Sequence, residues 1–252
     1  MLKLIENEIY KLLRSHKLYY AFLIVIVLEL AAVIQYQFMV SKPEINGQSL
    51  FFILLDFWPY LLALFMAVFV SDLWTEEAAT LKLTLTRPVR RTALLNAKVV
   101  SFALGLTLIL LLAMISSGVI GTIAFGWGSK IAFQGTALTS TPMAEAYLET
   151  ALGLLLPLLG FGLLVTFIAI LTDNGGMTMG VALGLTMLSP LLETIASLKA
   201  YSIVYQMRTF YQNILQGVPM ETGGGDLGII ALYVIVFYGL SCLYFGKKDM
   251  IA

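Results

Sequence analysis

Three acidic side chains lie within or near the ends of long apolar stretches, where an ionisable group is costly. Glu29 lies near the middle of the first stretch, Asp56 in the second and Glu193 towards the end of the fifth. Because charge at a bilayer centre is expensive, such residues usually face protein or water and mark a pathway. We expect Glu29 to face the interior, with Gln35 continuing a polar stripe outwards. The alternative for Asp56 and Glu193 is the outer membrane interface, reached by snorkelling.

The motifs of several enzyme classes are absent from the sequence. It contains no GxxxxGK[ST] phosphate-binding loop, no HExxH or CxxC metal pattern and no GxSxG nucleophile turn. The lone histidine, His16, has no Cys, Asp or Glu at ligand spacing, and the single Cys242 cannot form an intrachain disulfide. We predict no catalytic residue, metal or cofactor in this chain, and any ATP hydrolysis must occur in another subunit.

The composition is that of a membrane protein. The 252 residues are 60% hydrophobic and 12% charged, and a mean hydropathy of +0.92 is too high for a soluble domain of this length. A net charge of zero gives no reason to expect nucleic acid as a partner. Crossing a bilayer takes about 20 apolar residues, which predicts an all-α integral membrane protein with six transmembrane helices. They are Leu18–Val40, Phe51–Val70, Val99–Gly121, Leu148–Leu171, Met177–Ala196 and Leu227–Phe245.

An amphipathic helix should precede the first span. Apolar residues recur at helical spacing within residues 1–17, and basic and polar residues fall on the opposite side. We predict that residues 1–17 form an interfacial helix in the headgroup plane and that residues 18–252 form the transmembrane domain. The alternative is that residues 1–17 are the cytoplasmic end of a long first helix.

The distribution of Lys and Arg predicts the orientation of the chain, because positive residues near helix ends are retained in the cytoplasm. With both termini inside, eleven basic residues lie on the cytoplasmic side and four on the outer side. The outer four are Lys42, Lys130, Lys199 and Arg208. Both termini and the segment at about 71–98 are therefore predicted to be cytoplasmic, in a multi-pass protein of the cell membrane, most simply a bacterial plasma membrane.

The inner segment 71–98 combines an acidic pair with a later basic cluster in the sequence SDLWTEEAATLKLTLTRPVRRTALLNAK. Pro88 disfavours helical geometry at Arg87 and fits the first turn of a helix, so we expect a break near Thr86–Arg87 and a new helix from Pro88. By composition, Arg87, Arg90 and Arg91 either anchor the chain beside lipid headgroups or bind a partner.

The longest outer loop, about 197–226, contains four aromatic residues ahead of the run Gly223–Gly225. Aromatic residues favour the membrane interface, and consecutive glycines are typical of flexible chain. We predict an interfacial aromatic segment followed by a flexible link.

The stretch from Glu76 to Lys98, EEAATLKLTLTRPVRRTALLNAK, resembles the signature region of ABC-2 type transporter permeases. In that family an acidic pair is followed by Thr-Leu, a Pro-Val/Ser-Arg and a closing Lys before the third helix. An amphipathic N-terminal helix, six spans and a C-terminal FGKKD at 245–249 are also similar. The sequence departs from the family at Ala78–Ala79, where relatives commonly have Gly before the Thr, so a straighter helix is expected there.

The resemblance implies a permease subunit of an ATP-binding cassette transporter. Separate ATPase subunits would bind ATP and Mg²⁺, and a second permease copy or paralogue would complete the pathway in the lipid bilayer. Because the family mostly exports, we expect export of an amphipathic peptide or lipophilic compound. Two alternatives are a secondary transporter or channel independent of ATP and a membrane scaffold protein. By position in the motif, the ATPase-coupling residues are Glu76, Glu77, Arg87, Pro88, Arg90 and Arg91.

Overall fold

The computed structural model describes residues 2–38, 45–75, 91–128, 130–133, 136–138, 142–216 and 220–247. The first half contains α1 (Leu2–Arg14), α2 (His16–Gln37), α3 (Leu50–Ile53), α4 (Trp58–Thr75) and α5 (Arg91–Phe125). The second half contains β1 (Ile131–Phe133), β2 (Thr136–Leu138), α6 (Met143–Thr172), α7 (Gly175–Glu193), α8 (Ala196–Lys199), α9 (Ile203–Leu215) and α10 (Met220–Lys247). The end of the bundle that carries α1 is called the inner end, and the opposite end the outer end.

Helices α1 and α2 are separate, because Ser15 between them has an extended backbone and its hydroxyl accepts a hydrogen bond from the Lys17 amide. The chain here is therefore not one continuous first helix. Lys3 and Lys11 of α1 are exposed, as an amphipathic helix requires. Glu8, for which no prediction was made from the sequence, is buried.

Four helices in the described ranges are long and apolar enough to cross a membrane: α2, α5, α6 and the part of α10 from Gly224. The chain is thus a helical multi-pass membrane protein, as predicted. The predicted second span, Phe51–Val70, is not one helix: Leu50–Asp56 and Trp58–Trp74 meet at a bend of 73°, and joined they make a fifth candidate. The fifth predicted span corresponds to α7, whose apolar part, Gly175–Leu191, is short. Six spans therefore stay a prediction.

Helix α6 lies at the centre of the bundle and packs against α4, α5, α7, α9 and α10. Its glycines permit this close packing, as small residues commonly do between membrane helices. A Cβ added at Gly153 would lie 2.6 Å from the Cα of Tyr211, so α9 approaches α6 backbone to backbone. By contrast, nothing lies within 4 Å of a Cβ added at Gly180 of α7.

The predicted aromatic segment of the outer loop is a helix packed into the bundle, and its position at the membrane interface stays a prediction. Met207, Phe210 and Tyr211 recur at helical spacing along α9 and are buried, because together they form one apolar face. The predicted flexible link is wrong, since Gly223–Gly225 lie within α10. A glycine costs a helix only about 1 kcal/mol, which the long apolar stretch that follows can offset.

A short antiparallel hairpin in the loop between α5 and α6 departs from the all-α prediction. In it, β1 pairs with β2 in a register that sets Ile131 opposite Leu138. The Asn46 side-chain amide donates to the Lys130 carbonyl at 2.8 Å, and that of Gln48 donates to the Gly128 carbonyl at 2.9 Å. These bonds tie the outer loop before α3 to the end of α5 and leave the helical fold unchanged.

Candidate functional site

Glu29 of α2 faces α5 in the interior of the protein. Its side chain is fully buried, and the Ser117 hydroxyl donates a hydrogen bond of 2.7 Å to its Oε1 atom. Its Oε2 atom has no hydrogen-bond partner among the described residues. A buried carboxyl oxygen without a donor is costly, so this arrangement is not one that stability alone would favour. That Glu29 serves a transport pathway stays a prediction.

The other predicted pathway residues do not join Glu29. Gln35 is exposed, because each helical residue turns by about 100° and six residues place it on a different face of α2. The polar stripe is therefore wrong. Asp56 is exposed at the end of the turn Leu54–Asp56, beside the bend between α3 and α4. It lies outside any continuous helix.

Glu193 forms an ion pair at the outer end of α7. The Arg208 Nη1 atom lies 3.0 Å from both carboxylate oxygens, and the Ser189 hydroxyl donates to Oε1 at 3.3 Å. The guanidinium carbon of Arg208 also lies 5.5 Å from the centroid of the Tyr60 ring. These contacts join α7, α9 and α4, so Glu193 has a structural role at the outer end.

Charged residues that sequence reasoning missed meet at the inner end. Lys98 of α5 is fully buried, its ammonium donates to the Leu73 carbonyl, and it lies 3.9 Å from the Glu8 Oε2 atom. The same nitrogen lies 5.5 Å from the centroid of the Trp74 ring. A signal was present in the sequence, because Glu8 falls on the apolar side of α1, between Ile5 and Leu12. We use the name inner cluster for Glu8, Asp72, Trp74, Arg91, Lys98 and Phe245.

The inner cluster joins residues of four helices, α1, α4, α5 and α10, and contacts a fifth, α2. Lys17 of α2 pairs with Asp72 of α4 at 2.6 Å. The Trp74 ring packs edge to face on Phe245 of α10, with centroids 5.1 Å apart. Arg91 donates to the Phe245 carbonyl at 3.2 Å and to the Gly246 carbonyl at 3.1 Å. Because helix C-terminal carbonyls carry partial negative charge, Arg91 stabilises the end of α10.

Most of the predicted coupling residues lie outside the described residues: Glu76, Glu77, Arg87, Pro88 and Arg90. The predicted break at Arg87 lies there too. Arg91 is the described member of the set, and its guanidinium binds carbonyl groups of this same chain. Its predicted contact with an ATPase stays a prediction.

An apolar groove runs along the outer half of α5. It has a volume of about 520 Å³ and is lined by residues of α5, of α6 and of the loop between them, including Gly118, Trp127, Met143 and Tyr147. Glu29 is not among its lining residues. Within the described ranges there is no group of three or more His, Cys, Asp or Glu that could hold a metal ion. The groove therefore offers apolar surface rather than reactive groups.

A family model described as a protein of unknown function, DUF2705, matches residues 18–251. The chain belongs to the DUF2705 family. The match begins within α2 and covers every predicted span and the segment 76–98, and it leaves α1 out. No curated protein matches the sequence. The family description names no activity, so membership relates this chain to other DUF2705 proteins without assigning a reaction or a cargo.

Proposed function

We propose that this DUF2705 protein is the permease subunit of an ATP-binding cassette transporter, driven by a separate ATPase subunit. The observation that carries the proposal is the sequence from Glu76 to Lys98, which resembles the coupling region of ABC-2 permeases. In support, the two helices that flank it meet at one end of the bundle, where Lys98 of α5 binds the Leu73 carbonyl of α4.

The proposed arrangement in the membrane has six spans, with both termini and the segment 71–98 in the cytoplasm. Helices α3 and α4 together would form the second span, broken at the bend. Helix α7 has 19 residues, which at about 1.5 Å per residue nearly matches a hydrocarbon core of about 30 Å. Lys17, Arg91 and Lys98 all lie at the inner end, in agreement with the bias of basic residues towards the cytoplasm.

In the proposed transport mechanism, the ATPase subunits undergo the ATP-driven conformational change and this chain transmits it to the transport pathway. Two ATPase subunits would bind ATP and Mg²⁺ and close against each other. Their closure would displace the segment that begins at Glu76. Helices α4 and α5 would carry the displacement to a cavity between two permease copies. The apolar groove beside α5 fits a lipophilic or amphipathic cargo better than a polar one, and export is the direction that the resemblance favours.

The experiment is purification of the tagged full-length chain from its native membrane, followed by reconstitution in liposomes. We expect a soluble ATPase subunit in stoichiometric amount and ATP hydrolysis that vanishes when that subunit is removed. The double reversal Glu76→Lys/Glu77→Lys should lower recovery of the subunit. Two changes are needed because an exposed charge pair is worth only about 0.2–1 kcal/mol. Glu145→Lys/Glu221→Lys, at the outer end, is the matched control.

Other outcomes separate the alternatives. Recovery of no ATPase subunit, together with uptake driven by an ion gradient, would favour a secondary transporter or channel. Neither ATPase nor transport would favour a scaffold protein. Orientation is tested with single cysteines at positions 84 and 201 in a Cys242→Ser background. An impermeant maleimide should label intact cells at 201 and spare 84, and the opposite pattern would reverse the proposed topology.

A further inference from the structure

Helix α1 is attached to the bundle by a buried charge. Glu8 is 2% exposed, and its carboxylate faces Lys98, which is fully buried. The Ser101 hydroxyl donates to the Glu8 backbone carbonyl at 3.3 Å. A buried charge is costly without a partner of opposite sign. Glu8 also pairs with Lys11 of its own helix at 3.3 Å, so moving α1 away from α5 would take from the buried Lys98 ammonium the carboxylate that faces it. An amphipathic helix held only by the membrane surface would need no such pair.

Lys98 holds a second element at the same time. Its ammonium donates to the Leu73 carbonyl in the last turn of α4 and lies over the face of Trp74. Both contacts favour a cation, since C-terminal carbonyls and aromatic faces are electronegative. One side chain of α5 therefore contacts α1 and α4 together.

These contacts lie at both ends of the segment 76–90. Helix α4 ends at Thr75, and α5 begins at Arg91. Trp74 and Arg91, the described residues nearest those ends in the inner cluster, both contact Phe245 of α10. A displacement of either end must therefore move α1 and the end of α10, or break the Glu8–Lys98, Trp74–Phe245 or Arg91–carbonyl contacts.

We propose that Lys98 is a positioning residue that joins α1 to both ends of the segment 76–90, so that these parts move as one unit when the ATPase acts. The connection of α1 to α4 and α5 through Lys98 follows from contacts within this chain. Its role in coupling rests on the proposed function. Residues of the segment itself would contact the ATPase, and Lys98 acts through them.

The joining is tested without any partner, by the distance between spin labels at Asn7→Cys and Thr92→Cys in the full-length Cys242→Ser protein. Both positions are exposed, one on α1 and one on α5. We expect a single narrow distance distribution in the parent and a broad, longer one in Lys98→Met, which fills a similar volume without charge. Lys98→Arg keeps a cationic donor and should restore the narrow distribution.

Two further variants serve as controls for this test. Glu8→Gln/Lys98→Met leaves no unpaired buried charge, so it should fold and still give the broad distribution. Lys199→Met removes a lysine that lies 4.7 Å from the Tyr205 ring centroid at the outer end, and should leave the distribution narrow. An unchanged distribution in both folded Lys98 variants overturns the proposal, whatever the ATPase does.

The coupling role is tested on the complex with the co-purified ATPase subunit. Glu8→Gln/Lys98→Met should bind that subunit in parental amount and hydrolyse ATP severalfold more slowly at saturating ATP, with Lys98→Arg close to the parent. Parental hydrolysis rates in a variant with a broadened distribution overturn the coupling role. If the parent itself recovers no ATPase subunit, the proposed function fails and the coupling role fails with it, while the spin-label result still decides the joining of α1.

Discussion

Two ion pairs at opposite ends of the molecule differ both in distance and in burial. At the outer end, Arg208 and Glu193 are 3.0 Å apart, with side chains 36% and 17% exposed. At the inner end, Lys98 and Glu8 are 3.9 Å apart, with side chains 0% and 3% exposed. Water screens the closer pair, whereas neither inner charge can recover its hydration if its partner is lost.

The comparison also separates Glu29 from the inner cluster. Lys98 has a carboxylate, a carbonyl and an aromatic face around it, although the Glu8 Oε2 atom nearest to it accepts no hydrogen bond among the described residues. Glu29, equally buried, has one hydroxyl donor on Oε1 and no donor to Oε2 among the described residues. A well-satisfied buried charge is typical of a structural site, and a poorly satisfied one is typical of a functional site. We therefore expect substitutions at the two positions to change stability in opposite directions.

The largest effect is expected at Lys98. Lys98→Met should lower the free energy of unfolding by up to about 3 kcal/mol, the lower end for breaking a buried ion pair, because the Glu8 carboxylate loses its buried cation and keeps the more exposed Lys11 at 3.3 Å. Thermal unfolding in detergent measures the loss. Glu8→Gln/Lys98→Met should recover part of it, since both charges are then gone. A loss no greater than that of Lys199→Met would show that the inner pair is as weak as an exposed one.

A smaller effect is expected where the outer end depends on packing. Gly153→Ala should cost about 1–3 kcal/mol, because its Cβ would meet the Cα of Tyr211 at 2.6 Å and force α9 away from α6. Gly180→Ala is the matched control, since its Cβ meets nothing within 4 Å and alanine favours a helix by about 1 kcal/mol. Equal melting temperatures for the two variants would contradict the close approach of α9.

At Glu29 the expected change in stability has the opposite sign. Glu29→Leu should raise the free energy of unfolding by about 1–3 kcal/mol, because it removes a buried oxygen without a donor. If Glu29 serves the pathway, the same variant should lose the ATP-dependent activity of the reconstituted complex. Activity in Glu29→Gln would show that polarity, not charge, is required. A more stable Glu29→Leu with full activity would end the pathway hypothesis.

The sequence predicted the helices that coincide with long apolar runs. It missed the structural features that depend on contacts between residues distant in the sequence. The apolar stretches locate α2, α5, α6 and α10, because spanning length is a local property of the chain. The bend after Asp56, the burial of α9 and the β1–β2 hairpin are tertiary features with weak local signals.

The candidate residues divide in the same way. The interior position of Glu29 was predictable from its depth in one helix. Gln35 was misplaced, because the expected stripe did not follow the helical repeat. Glu8 and Lys98 are 90 residues apart in the sequence, so no local pattern could pair them. Arg91 was predicted to anchor beside lipid headgroups or to bind a partner, and its contact with α10 was missed because its carbonyl partners lie at the far end of the chain.

The smallest effect is expected at the outer ion pair. Arg208→Ala should lower the free energy of unfolding by about 0.2–1 kcal/mol, because both side chains keep partial contact with water. The difference between Arg208→Ala and the parent should shrink further in about 1 M salt, where the Debye length falls to about 3 Å. Lys98→Met should keep its full deficit in the same buffer, since salt does not enter a buried site. Melting temperatures of both variants at low and high salt measure this directly. If Arg208→Ala were as damaging as Lys98→Met and equally insensitive to salt, the difference in burial would not govern the strength of the two pairs.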